Sequence, residues 1–239
     1  MFKPPEVHLP PHKLATRASD TKRAMPLGEA NMPRLVATAR AARSAELFAI
    51  LDWLDVEKSP RYKRTKTSTW CNIYATDVCY LAGYYLPHTF WTPKALTDLE
   101  AGKVVAPKYG STITELSANS LYEWLVKWGP TYGWIRAASV LQAQQAVNAG
   151  GLGVVCAKKP GGIGHITVVA PESSKQFALM GPTGVVAVPV QSQAGAKNYK
   201  LFAKELGEWW DRPGYVGGIW IQEYKPVCPT CSGSGINPT

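Results

Sequence analysis

The chain has no apolar run approaching the roughly 18 to 20 residues that a bilayer-spanning helix requires, because charge, Gly or Pro interrupts every hydrophobic stretch. No transmembrane helix is expected. Behind the basic amino-terminal MFKPPEVHLPPHKLATR there is no apolar segment of the kind a secretory signal carries, so the expectation is synthesis in the cytoplasm without a signal peptide. Acidic residues are few: 17 Asp and Glu against 26 Lys and Arg leave a net charge of +9. Cysteine is sparse too. Its five positions, 71, 79, 156, 228 and 231, are odd in number and lack the regular spacing of a disulfide scaffold, which points to manufacture in a reducing compartment. There is no H-E-x-x-H and no other dense His, Asp and Glu cluster, which disfavours a zinc hydrolase, and no metal site is assigned. G-x-S-x-G, the P-loop and the dinucleotide-binding G-x-G-x-x-G are missing as well, as are internal repeats and heptads.

What is present suffices for a large core: 239 residues, 46% of them hydrophobic and 18% charged, exclude wholesale disorder. More than half of the excess charge lies in residues 1–45, where eight basic side chains face three acidic ones. Residues 1–33, rich in Pro and basic side chains and without sustained period, are expected to form an extended arm. Such an arm attracts polyanions without sequence-specific recognition, or simply aids solubility; specific nucleic-acid binding is not expected. From residue 34 to 56, Leu35, Ala39, Ala42, Leu47, Ile50, Trp53 and Leu54 recur at helical spacing and predict a leading amphipathic helix. Further helices are expected over about 71–82, closed by Gly83, and over 93–101, 113–128 and 137–148.

After Gly150 the pattern changes to short β-rich runs bounded by Gly and Pro: LGVVCA, GHITVVAP, GVVAVPV and VGGIWIQEY. A helical half followed by closely spaced strands implies an α+β class, with a mainly antiparallel sheet in one domain over residues 34–225. The closing residues, 226–239, read as a flexible Cys- and Gly-containing tail. Their CPTCSGSG resembles one repeat of the zinc-binding region of DnaJ-type chaperones, but Cys228 and Cys231 supply only two of the about four ligands that structural zinc needs, so zinc binding stays open.

Chemistry concentrates at two places. Cys71 opens the 71–82 helix, where unpaired N–H groups and the positive end of the helix dipole stabilise a thiolate and can hold an oxyanion. Cys79, mid-helix, and Cys156, in an apolar strand, read as core thiols. His165, in PGGIGHITVVAP, follows a glycine-rich turn at the start of a strand, where a rigid sheet presents an imidazole at a cleft edge. His8 and His12 lie in the arm, and His88 follows the cysteine helix; none is as well placed.

A helix-borne Cys followed by a strand-borne His resembles the papain-like cell-wall cysteine peptidases and amidases, the NlpC and CHAP type found in bacteria and in phage endolysins. TWCNIYATDV is similar to the nucleophile helix of some members and GHITVVAP to their histidine strand, with SPRY, ELSAN, GW and QAG in weaker agreement across residues 59–224. The resemblance implies a papain-like fold and cysteine hydrolase activity on peptidoglycan, with Cys71 as nucleophile and His165 as base. The third polar residue is expected on the next strand, where Gln191, Gln193 and Asn198 are available; Gln193, within QAG, is the choice the resemblance favours. Asp77, about 240° around a regular helix from Cys71, is expected to fix the helix rather than take part in chemistry. Tyr62 is expected either to help bind the oxyanion or to pack.

Most of the nine Trp and eleven Tyr read as core, Trp124 and Trp128 sharing one helix face; Trp70 and Trp91 flank the cysteine helix and are candidate walls of a substrate cleft. Acyl transfer of this kind needs no cofactor. The expected partner is peptidoglycan, with possible envelope contact through the basic arm, and the protein is expected to be a monomer acting in the periplasm or cell wall after holin-type release or injection. Other readings are a Cys-His toxin or transferase acting on protein, and a non-enzymatic envelope-binding virion protein.

Overall fold

Helices dominate the first half of the chain and strands the second in a computed structural model that describes residues 2–203 and 209–225. The helices are α1 (Arg40–Leu54), α2 (Cys71–Ala82), α3 (Pro93–Glu100), α4 (Ala118–Lys127) and α5 (Val140–Asn148). The first three strands, β1 (Thr89–Trp91), β2 (Ile113–Glu115) and β3 (Ile135–Arg136), interleave with them. There follow β4 (Leu152–Lys158), β5 (His165–Val169), β6 (Leu179–Met180), β7 (Val186–Val188), β8 (Gln191–Gln193), β9 (Tyr199–Phe202) and β10 (Val216–Gln222). The class is mixed α and β with antiparallel sheets. Six strands form the main sheet in the order β3-β10-β4-β5-β8-β9, and β1-β2 and β6-β7 are separate antiparallel pairs.

Helix α2 sits at the centre. Nearly all its side chains are buried, with Ile73, Tyr74, Val78 and Leu81 at most 1% exposed, so it is buried around its circumference rather than along one stripe. It packs on β5 and on α1, and α4 packs on β4. Gly83 ends it in the left-handed conformation (φ 76°), with the Tyr84 N–H reaching back to the Cys79 carbonyl at 2.9 Å.

The structure departs from the sequence reading at several places, α5 among them, which begins at Val140 rather than 137. The leading helix begins at Arg40 instead of residue 34. The helix expected over 113–128 starts only at Ala118: Ile113–Glu115 instead pair with β1, and the Ser117 side chain caps α4 by accepting from the Ser120 N–H. The run GVVAVPV is not the sheet neighbour of the histidine strand. Its Val186–Val188 pairs with Leu179–Met180, and after Pro189, which has no N–H to donate, the chain joins β5 through Val190 and β8.

The amino-terminal segment contains no helix, as its lack of period implies, but it is docked rather than solvated. Val7, Ala15 and Leu27 are buried, and Tyr132 Oη and Trp91 Nε1 donate to the Pro4 and Pro5 carbonyls at 2.6 and 2.8 Å. Its arginines are engaged by the domain: Arg17 lies 3.7 Å over the Trp53 ring and Arg23 4.2 Å over Trp70. No described helix is long and apolar enough to cross a membrane. Cys228 and Cys231, with the rest of the expected tail, lie outside the described residues.

Candidate active site

The loop before α2 delivers Trp70 to the N-cap position, where its side chain makes no capping hydrogen bond, and Cys71 becomes the first helical residue. The N–H groups of the first turn are therefore available to a nearby anion. The Cys71 thiol, 4% exposed, sits on the floor of a cleft of about 320 Å³ walled by Trp70, Asn72, Glu115, Asn119 and the glycine turn 162–164.

His165 opens β5, paired with Ala157 of β4. The turn that feeds it requires glycine: a Cβ on Gly164 would lie 2.2 Å from Asn119 Oδ1 and 2.6 Å from the Ala157 carbonyl oxygen. Asn119 ties the same turn to α4, accepting from the Lys159 N–H at 3.0 Å and donating to the Gly162 carbonyl at 2.9 Å. The imidazole thus rests on a backbone fixed from two sides.

The ring is oriented by Gln193. His165 Nε2 lies 2.8 Å from Gln193 Oε1, while Gln193 Nε2 donates to the Lys197 carbonyl at 3.0 Å, which fixes the amide with its oxygen toward the ring. An amide oxygen only accepts, so Nε2 is the protonated nitrogen of the neutral ring and Nδ1 the basic one, and the imidazole interacts with the Cys71 thiol. The indole of Trp209 lies against the imidazole, ring centres 4.9 Å apart, held by Nε1 donating to Gln191 Oε1 at 3.0 Å.

The electrostatics separate Cys71 from the other described thiols. Burial pushes all three upward. At Cys71 this is outweighed by the His165 imidazole and by the Ile166 and Asn72 N–H groups, which together hold the thiol below its ordinary range. Cys79 and Cys156 have no such compensation, and burial holds them well above it. Burial lowers His165, and the adjoining sulfur with the Gln193 bond more than offsets this, so its net shift is upward. The two groups move toward each other in pKa, as a thiolate–imidazolium pair requires.

Of the alternatives for the third position, Gln191 is fully buried, accepting from Thr167 Oγ1 at 2.7 Å as well as from Trp209. Asn198 is committed to the backbone of Val56 and Tyr62 at 2.8 and 3.1 Å. Neither bonds the imidazole. Trp70 does line the cleft. Trp91 does not: it is buried in β1 with its N–H on the Pro5 carbonyl. Tyr62 does not either, since it is fully buried and donates its hydroxyl to Asp77 Oδ2 at 2.8 Å, a packing and anchoring role.

Asp77 is the centre of a buried charge cluster. Arg61 meets both its oxygens at 2.6 and 3.2 Å, and His88 Nε2 lies 3.3 Å from Oδ1. Three residues of the site escaped the sequence reading: Glu115, Asn119 and Trp209. Asn119 and Glu115 lie in or beside the weakly matching ELSAN; for Trp209 no sequence signal separates it from the core tryptophans. Among the described residues no three His, Cys, Asp or Glu side chains converge where a metal ion could sit. No family model and no curated protein matches the chain.

Proposed function

We propose that the protein is a cysteine hydrolase of the papain-like, NlpC and CHAP type that cleaves an amide bond of peptidoglycan, as amidase or endopeptidase. The observation that carries this reading is Cys71 lining an open cleft and interacting with the His165 imidazole, whose Nε2 lies 2.8 Å from the Gln193 amide oxygen.

In this reading, His165 Nδ1 takes the Cys71 proton and the thiolate attacks the carbonyl carbon. The tetrahedral oxyanion rests against the backbone N–H of Cys71 at the start of α2. The C–N bond breaks, with the imidazolium returning its proton to the leaving amine, and the acyl group remains as a thioester. Water, deprotonated by His165, then hydrolyses the thioester, releasing the carboxylate and restoring the thiol. Gln193, a neutral amide, orients the ring and adds no negative charge to stabilise the imidazolium, so the sulfur anion itself carries that task.

Incubation with purified peptidoglycan followed by mass spectrometry of released fragments tests the proposal. The expected result is a defined set of muropeptides that vanishes in a folded Cys71→Ala variant. Intact peptidoglycan with wild-type protein, or the same fragments from Cys71→Ala, would reject it. Turnover of a protein substrate by the same thiol would favour the toxin or transferase reading.

A further inference from the structure

Around Cys71 the sign of the charge is opposite to that of the molecule. The chain carries +9, yet among the residues lining the cleft Glu115 is the one with a formally charged side chain, apart from the thiol itself. Glu115 makes no ion pair among the described residues. Its geometric partner is neutral: Asn72, next to the nucleophile, donates Nδ2 to Oε1 at 3.1 Å, and the Tyr109 hydroxyl, which lines a recess beside it, is raised in pKa by burial and by the nearby carboxylate. A carboxylate offers about four acceptor sites, and these neutral neighbours leave it capacity for a cation.

Glu115 also joins two spaces. With Trp70 it lines both the cleft and an adjoining recess of about 350 Å³, whose other walls are Tyr109 and, from the amino-terminal segment, Asp20 and residues 22–25. The cations bordering that recess are Lys22, which is exposed, and Arg23. Arg23 is already committed, donating to the Arg61 and Pro60 carbonyls at 2.7 and 3.1 Å and lying over Trp70. The cleft beside the thiol therefore presents the Glu115 carboxylate between Trp70 and Tyr109 with no Lys or Arg in its own lining; Lys22, Arg23 and Asp20 border the recess, and none of them forms an ion pair with Glu115 among the described residues.

We propose that Glu115 is a specificity residue that selects substrates carrying a cationic group, an ammonium or a guanidinium, beside the scissile carbonyl. The cation docks against the carboxylate between Trp70 and Tyr109. This rests on the assignment of Cys71 as the reactive thiol, and it narrows the substrate to amides with a free amine or guanidinium near the bond that is cut.

The test uses the full chain and two thiol reagents of equal size and opposite charge, a trimethylammonium-ethyl and a sulfonato-ethyl methanethiosulfonate, with modification of Cys71 followed by peptide mapping. In Glu115→Gln, which keeps an acceptor for Asn72, the ratio of cationic to anionic rate should fall by about fivefold, the order expected for one charge acting across a partly solvated cleft. Glu115→Asp, which keeps the charge, should retain the wild-type ratio. A ratio unchanged in Glu115→Gln overturns the specificity role alone. A Cys71 inert to both reagents overturns the nucleophile assignment and this inference with it.

Discussion

At the scale of single residues, the site depends on which atom of each side chain faces which. Gln193 is informative because both ends of its amide are bonded, one to His165 and one to the Lys197 carbonyl, so its oxygen faces the ring and favours a proton on Nε2. Gln193→Ala should lower kcat by about a hundredfold with KM little altered, the order expected for a misoriented catalytic group. Gln193→Glu should recover most of that loss. Its carboxylate would raise the imidazolium pKa further, moving the alkaline limb of the pH–rate profile to higher pH, and a Gln193→Ala enzyme with wild-type kcat would remove Gln193 from the account. Cys71 and His165 were legible as residue types in a telling order, and the choice of Gln193 came from QAG. Glu115 falls within the weakly matching ELSAN but was not singled out, and Trp209 was not legible, because what distinguishes both is their neighbours across the fold.

At the scale of elements, the central question is what holds α2 in place so that its first residue meets β5. Part of the answer is at Asp77, where Arg61 bridges α2 to the amino-terminal segment by also donating to the Arg23 and Met25 carbonyls, each at 3.0 Å. Burial alone would raise the Asp77 carboxyl; the Arg61 charge and His88 more than compensate, and the net shift is downward. A carboxylate lowered on folding contributes stability that is fully present above its unfolded value of about 3.9 and is lost as pH falls through the lower folded value. Asp77→Asn leaves the Arg61 guanidinium buried without a counter-charge and should cost about 3–5 kcal/mol at neutral pH in denaturant unfolding. The difference from wild type should narrow below about pH 4. A loss under about 1 kcal/mol would show that the cluster does not anchor the helix. The elements themselves were largely legible: α2 with its closing Gly83, α3, α5 and the strands carrying Cys156 and His165 stand close to their expected places. The run 113–117 reads as helix but is not, because the Ser117 cap starts α4 later, and GVVAVPV contains a strand as expected but Pro189 separates it from the strand carrying Gln193.

At the scale of the whole molecule, the docked amino-terminal segment changes how the +9 charge is understood. Lys3, Arg17 and Arg23 lie over Tyr132, Trp53 and Trp70, so much of the segment's basic character serves intramolecular contacts and one wall of the recess beside the cleft. Composition revealed the charge and the prolines, but not that Val7, Ala15 and Leu27 are scattered anchors, because isolated apolar residues without period carry no structural signal. The account as a whole stands on the coupling of one sulfur to one imidazole. The most direct measurement is the pH dependence of iodoacetamide alkylation, resolved by peptide mapping, in wild type and His165→Ala. The account predicts that Cys71 reacts ahead of Cys79 and Cys156, with a midpoint below the usual thiol value of about 8.5, and that His165→Ala moves that midpoint upward. Faster labelling of Cys79 or Cys156, or a Cys71 profile indifferent to the loss of His165, would contradict it.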